Sequence, residues 1–416
     1  MGAVTLTAHT PWGYVRRVQS LTSSTPIYLD SAASTPVRPE VLEAMLPYFT
    51  EVYANPSGHH AGGYDAAAAI DDARGAMASV LGSIPEELVF TSGGTESINA
   101  ALKGVALAQR DAGIGAHIVT TAIEHHAVLH SVQYLERFGF EVDYVAVDEF
   151  GRVDPDEVAA AVRPDTVLVS VMYANNEVGT VQPIEEVAGR LRDIEARLGR
   201  RVPFHTDAVQ AANSKPLNVD RLGVDLLSLS GHKFGGPKGT GLLYIRRDIP
   251  FLEQMSGGGQ ERQRRSGTEN TPGIVGLSTA LVLAQGEREA YVSDTSALRD
   301  RLREGVTRTL PDVRFNGHPT ERLPNNLHFC IPGVEGEAVV EALDQVGVAC
   351  SAGAACTSST WEPSHVLLAM DVPLELAIGS VRMSLSPSLT AADIDFVIEQ
   401  LPPIVERLRL EAPVVL

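Results

Sequence analysis

A chain of 416 residues is long enough for one large domain and a smaller one. Its 44% hydrophobic and 20% charged residues match an ordinary globular protein, and no run of roughly 18 apolar residues is present to span a bilayer. Fifty-two acidic against 33 basic residues give a net charge of −19, which repels phosphate backbones and anionic lipid and argues against direct nucleic-acid or membrane binding.

Residues 1–26 carry no acid and several Ser and Thr, so they read as an N-terminal extension, disordered or lying on the surface. No apolar stretch follows Arg16-Arg17, which argues against a secretion signal; a transit-like segment is the alternative. An Ala-rich helix is expected over 65–81, with Gly82 as its C-cap. Short apolar runs then predict strands at 88–90, 117–121, 142–147, 166–172, 203–206, 225–229 and 241–245, with helical patterns between several of them. This alternation implies a mostly parallel sheet with helices on both faces. Beyond residue 288 the pattern changes to a charged helix, 296–309, and strand-like segments at 327–331 and 381–385. The expected organisation is a large domain over 38–287 and a smaller α+β domain built from 27–37 and 288–416.

In open parallel sheets, ligands sit outside the carboxyl ends of the strands. Five of the predicted strand ends carry polar groups: Thr91 to Thr95, Glu124 to His126, Asn175 to Glu177, Asp207 to Gln210, and Ser230 to Lys233. The first is a strand, a small-residue turn with Gly93 and Gly94, and a helix start, which suits a phosphate. It reads equally as a plain connection with Thr95 as N-cap. Pyridoxal phosphate needs a lysine amine for its aldehyde and an acid beside its ring nitrogen. Asp207 and Lys233, on successive strand ends, would supply both. The chain has four lysines, Lys103, Lys215, Lys233 and Lys238, and Lys233 alone follows a strand and a Ser-Gly-His turn. By itself Lys233 also reads as a solvated loop residue. His125 offers a flat ring to stack on a pyridine and a nitrogen that titrates near neutral pH. His126 and His130 have helical spacing, but no HExxH and no third ligand accompany them, so no metal is expected.

These motifs resemble those of the cysteine desulfurases of the NifS/IscS type, a branch of the fold-type-I pyridoxal-phosphate enzymes in the class-V aminotransferase family. The match runs in order over roughly 27–390. It takes in the segments starting at Ile27, Asn55, Phe90, Glu124, Ala174, His205, Ser230, Gly257, Arg265, Ala355, Pro363 and Val381. It implies an α/β fold with a large, mostly parallel seven-stranded sheet, and pyridoxal 5'-phosphate as cofactor. By resemblance, Lys233 carries the cofactor, Asp207 pairs with the ring nitrogen, and His125 stacks on the ring and shuttles protons. Asn176 and Gln210 bond the ring hydroxyl region, and Gly94, Thr95, Ser230 and His232 lie at the phosphate. Thr268 reaches the phosphate of the other subunit, which implies a homodimer. Arg382 grips the substrate carboxylate, near Asn176. Ser31 departs from the family, whose members often carry an aromatic residue there.

Three cysteines, Cys330, Cys350 and Cys356, are too few and too odd for a disulfide framework, and they point to a reducing, cytoplasmic setting. Cys356 lies among small and polar residues, 350–360, which predicts a mobile segment. The resemblance makes Cys356 the thiol that takes sulfur from L-cysteine as a persulfide, releases L-alanine, and hands the sulfur to an acceptor protein. His125 is a candidate base for that thiol. Cys330 and Cys350 read as core, with Cys350 as a resolving thiol the minor alternative. Iron–sulfur cluster assembly is one pathway such sulfur could feed. The alternatives are an aminotransferase, a selenocysteine lyase, or a sulfur-relay scaffold without turnover.

Overall fold

A computed structural model describes residues 26–353 and 363–411 of the chain. Strand β1 (Ile27–Tyr28) opens it. Seven strands then build the larger sheet: β2 (Leu88–Thr91), β3 (His117–Thr121), β4 (Glu141–Val145), β5 (Thr166–Ser170), β6 (Phe204–Asp207), β7 (Leu226–Ser230) and β8 (Gly241–Ile245). Their order is β2-β8-β7-β6-β5-β3-β4. Strands β4, β3, β5, β6 and β7 pair in parallel. Only β8 runs against its neighbours, β2 and β7. Strand β2 therefore points the same way as β7, and the carboxyl ends of β2, β3, β5, β6 and β7 share one edge.

Strands β5, β7 and β8 are buried along their whole length. Helices cover both faces, so these strands read as nearly continuous apolar runs instead of alternating. Strands β3 and β8 have the expected limits, and the other five differ by one or two residues at an end.

The Ala-rich helix spans Ala61–Leu81 and so begins four residues before the expected start. Gly62 and Gly63 resemble a turn in the sequence. In the fold, a Cβ on Gly63 would stand 2.2 Å from the Gly58 carbonyl oxygen, so only glycine fits. His60 caps this end, its Nδ1 accepting from the Gly63 N–H at 3.2 Å. Gly82 closes the other end at φ 67°, the left-handed cap expected of it.

Beyond the larger sheet, the charged helix runs over Arg288–Thr309, eight residues longer than expected at its start. Strands β9 (Arg314–Asn316), β10 (Asn326–Cys330), β11 (Val348–Ala349), β12 (Ser351–Ala352) and β13 (Ser380–Ser384) follow. An antiparallel sheet of order β12-β13-β10-β9 packs Leu327, Phe329, Val381 and Met383 against Leu302 and Leu401. Leu401 belongs to the helix Ala391–Glu411, which continues through Pro402 and Pro403. Strand β1 pairs with β11, and the Asp30–Ser384 bridge ties the following residues to β13. Residues 30–34 are thereby drawn between the two sheets. Among the described residues, no helix is long and apolar enough to cross a membrane.

Candidate active site

A cavity of about 670 Å³ opens at the shared carboxyl edge. The turn after β2 brings Gly94 and Thr95 to it; the end of β7 brings Ser230, and the turn that follows brings His232 and Lys233. His125, Asn176, Asp207 and Gln210 line it from the ends of β3, β5 and β6, and Arg382 reaches it from β13. Ten of the twelve site residues expected from the sequence thus face one cavity. The other two differ. Thr268 is exposed and does not line the cavity within one chain. Cys356 lies outside the described residues.

Lys233 ends a short 3-10 turn, and its Nζ donates to the carbonyls of Ala32 at 2.6 Å and Ala33 at 2.9 Å. It has no ion-pair partner among the described residues. Burial, and the positive charge of Arg382, pull its pKa down to about 8. Asp207 is 5% exposed, and its Oδ1 accepts the Val209 N–H at 2.9 Å. Burial raises its pKa to about 6, a rise that the Val209 hydrogen bond and the Lys233 charge oppose. His125 is the N-cap of the helix His126–Glu136, with Nδ1 accepting from the Ala127 N–H at 3.0 Å. Burial and the Lys233 charge lower its pKa to about 4. A neutral ring whose Nδ1 is engaged carries its proton on Nε2, so it stacks and donates well but accepts a proton weakly. This geometry counts against His125 as the base for a thiol.

Arg382 is held by three contacts. Nη1 donates to the Asn176 carbonyl at 3.1 Å, and Nη2 to Asp30 at 3.0 Å and Ser351 Oγ at 3.2 Å. Its buried Nε finds no partner among the described residues. Gln210 donates to the Ala32 carbonyl at 3.0 Å.

These residues fit pyridoxal phosphate. The helix Gly94–Asp111 starts at the cavity, and its first-turn N–H groups have no partner inside the helix. Its N-cap is Gly93, not Thr95, at φ 154°, a conformation suited only to glycine. A Cβ on Gly94 would come within 2.9 Å of Val209. Gly94 is thus packed against Val209, whereas a Cβ on Gly93 would meet only Ser230 Oγ, at 3.9 Å, so the turn is open to the cavity at Gly93. Asp207, a buried carboxylate without an ion-pair partner among the described residues, suits a protonated ring nitrogen. Lys233 supplies the amine.

Residues 27–397 match the class-V aminotransferase family model. The chain belongs to this family. Among its relatives there, the cysteine desulfurase IscS of Methanosarcina thermophila is 50% identical over 392 residues, 94% of this chain and 95% of that protein. That of Dictyoglomus turgidum is 46% identical over 93% of this chain and 96% of its own. Among solved structures, a NifS-like protein superposes with a TM-score of 0.85 at 38% identity, covering 92% of this chain and all of that one. SspA in complex with cysteine superposes with a TM-score of 0.76 at 36% identity, covering 88% of this chain and all of its own. The enzyme is pyridoxal-phosphate dependent, as its class-V relatives are.

Several cavity residues of this family member carry no clear sequence signal. Ala32, Ala33 and Ser34 line it because β1 draws them in from the chain start. Lys238, which reads as a turn residue in Pro-Lys-Gly, also lines it. Glu96 lines it too, paired with Arg265 at 2.9 Å. Cys330 is buried core, as expected, with Asn316 Nδ2 at 3.1 Å from its sulfur. Cys350 is only half-buried by exposure, yet it packs on the small-sheet core. Its thiol is pushed up to about 12 by burial and by Asp30, which opposes a thiolate there.

Proposed function

We propose that this chain is a cysteine desulfurase that converts L-cysteine to L-alanine and holds the sulfur on Cys356 as a persulfide for an acceptor protein. The observation that carries this reading is the meeting of Lys233, Asp207 and Arg382 in one cavity. Full-length similarity to the named desulfurases, and to a protein solved with cysteine, supports it.

When bound, pyridoxal phosphate supplies a ring that withdraws electrons from the substrate Cα. Asp207 holds the ring nitrogen, and His125 covers the ring face. Asn176 and Gln210 serve the ring hydroxyl region. Thr95, Ser230 and His232, with the Gly94 backbone, bind the phosphate. Arg382 would hold the substrate carboxylate by exchanging its Asp30 and Ser351 contacts for it, through a planar fork that an ammonium could not match. The Lys233 amine has a pKa near 8 and so takes and returns the Cα proton close to neutral pH. Cys356 attacks the substrate sulfur: the Cβ–S bond breaks, an S–S bond forms, and a proton ends on the new methyl group. One L-cysteine and one thiol give one L-alanine and one persulfide.

The working unit in this reading is a homodimer. Leu42, Leu46, Phe49, Tyr53 and Tyr64 are each at least half exposed along 42–64, large apolar side chains that a partner subunit would cover. Thr268 stands outside the cavity of its own chain and would serve the partner's phosphate. The seven-stranded and four-stranded sheets, each with its own core, support a large domain over 38–287 and a small one from 27–37 and 288–416.

The test is turnover of L-cysteine by the purified protein and by Cys356→Ser. The wild type should release alanine and carry a persulfide on Cys356. The variant should keep its yellow cofactor and form no persulfide. Persulfide delivery by the variant at the wild-type rate refutes the assignment.

A further inference from the structure

We propose that residues 257–267 form a brace for the turn that seats the cofactor phosphate, with Arg74, Glu261 and Arg265 as its positioning residues. This rests on the cofactor reading above and adds residues that touch neither cofactor nor substrate.

The turn Ser92-Gly93-Gly94 is made of small residues. Gly93 is open to the cavity and Gly94 packs on Val209, and neither supplies a side chain to hold the backbone still. Thr91 Oγ1 holds the Gly93 carbonyl from within at 3.2 Å, and one loop adds ties from outside on both flanks.

The first tie is Glu261. Its side chain is 3% exposed and that of Arg74 is 6% exposed. Arg74 donates to Glu261 through Nη1 at 2.9 Å and Nη2 at 2.7 Å, and the Phe90 N–H donates to the same carboxylate at 2.9 Å. Arg74 Nη1 also reaches the Leu88 carbonyl at 2.8 Å, and its guanidinium lies 4.3 Å from the Phe90 ring centroid. Glu261 therefore grips β2 just before the turn.

The second tie is Arg265. Its Nε donates to Glu96 at 2.9 Å, and the other Glu96 oxygen accepts the Ser92 N–H at 2.6 Å. This holds the turn from its far side.

Between the ties the backbone is strained. Glu261, Arg262 and Gln263 have φ of 48°, 58° and 64°, three non-glycine residues in succession in the left-handed region. Such a run persists only where its surroundings over-determine it. The loop is also cross-tied: Ser266 N–H to the Met255 carbonyl at 3.0 Å, Gly259 N–H to Ser266 Oγ at 3.2 Å, and Gly267 N–H to Gln260 Oε1 at 2.8 Å. A buried ion pair is a poor source of net stability but a good source of fixed geometry. Here that geometry spans four residues and delivers Arg265 to Glu96. A pre-set turn binds its anion without ordering cost.

The experiment strips the purified protein of pyridoxal phosphate and retitrates it by absorbance, alongside Arg265→Gln, Glu261→Gln and the double variant. Thermal melting of the cofactor-free forms runs in parallel. Arg265→Gln should weaken cofactor affinity about tenfold with its cofactor-free melting midpoint unchanged. The double variant should bind no more weakly than Glu261→Gln alone, because both changes cut one brace. Wild-type affinity in Arg265→Gln, or a loss that only follows a fallen melting midpoint, overturns the brace and leaves the functional reading intact. A wild-type protein that takes up no pyridoxal phosphate refutes the functional reading and this inference with it.

Discussion

Replacing Glu124 by glutamine should stabilise the cofactor-free protein, and more so as pH rises. Glu124 is fully buried beside the catalytic cavity. Its Oε1 accepts from Thr121 Oγ1 and the Met172 N–H, both at 2.8 Å, while Oε2 finds no donor among the described residues. Burial, with the nearby charge of Asp207 adding to it, pushes its pKa up from 4.5 to about 8. The fold thus keeps a proton that the unfolded chain loses above pH 4.5. The stability this group contributes is complete below pH 4.5 and declines as pH rises to about 8. Holding the proton costs 1.36 kcal/mol per pH unit above the unfolded pKa, on the order of 3 kcal/mol at pH 7. Glutamine stays neutral at every pH, with its carbonyl accepting both existing bonds. Its amide, at the unpartnered Oε2 position, adds a cost that does not vary with pH, so the slope with pH is the diagnostic. Urea unfolding from pH 5 to pH 8 should show the variant gaining on the wild type by on the order of 4 kcal/mol across the series. A difference that stays constant from pH 5 to pH 8 would mean that Glu124 is charged in the fold throughout that range and would refute the reasoning.

Arg382→Lys should raise the KM for L-cysteine roughly 10- to 100-fold, the worth of one charge-assisted hydrogen bond, with cofactor absorbance retained; steady-state kinetics measure it. Uptake of pyridoxal phosphate by the stripped protein should quicken with pH and level off above about 8, because the neutral Lys233 amine is the reactive form. A stopped-flow series from pH 6 to 9 that stays flat would contradict this. Changing Leu46 and Phe49 together to aspartate should shift the protein toward monomer in light scattering, since both side chains are more than half exposed.

The larger sheet was legible because its central strands are covered on both faces, and continuous runs such as 166–170 and 241–245 leave no other reading. Polar residues at strand ends then marked the cavity. What stayed hidden depends on contacts distant in sequence. The start of the Ala61–Leu81 helix is masked by Gly62 and Gly63, the second of which allows a close approach to Gly58. The Arg288–Thr309 helix follows the Thr271–Gly286 helix with only Glu287 between, and no Ser, Thr, Asp or Asn marks its beginning. Arg74 and Glu261 lie 187 residues apart, and no local pattern pairs them. Lys238 in its turn gives no sign of facing the same cavity as Lys233.

The most direct check on the cofactor's anchor is borohydride reduction of the holoenzyme, followed by mass spectrometry of its peptides. The account predicts a pyridoxyl group on the peptide bearing Lys233. The same mark on Lys238, Lys215 or Lys103 in its place would contradict it.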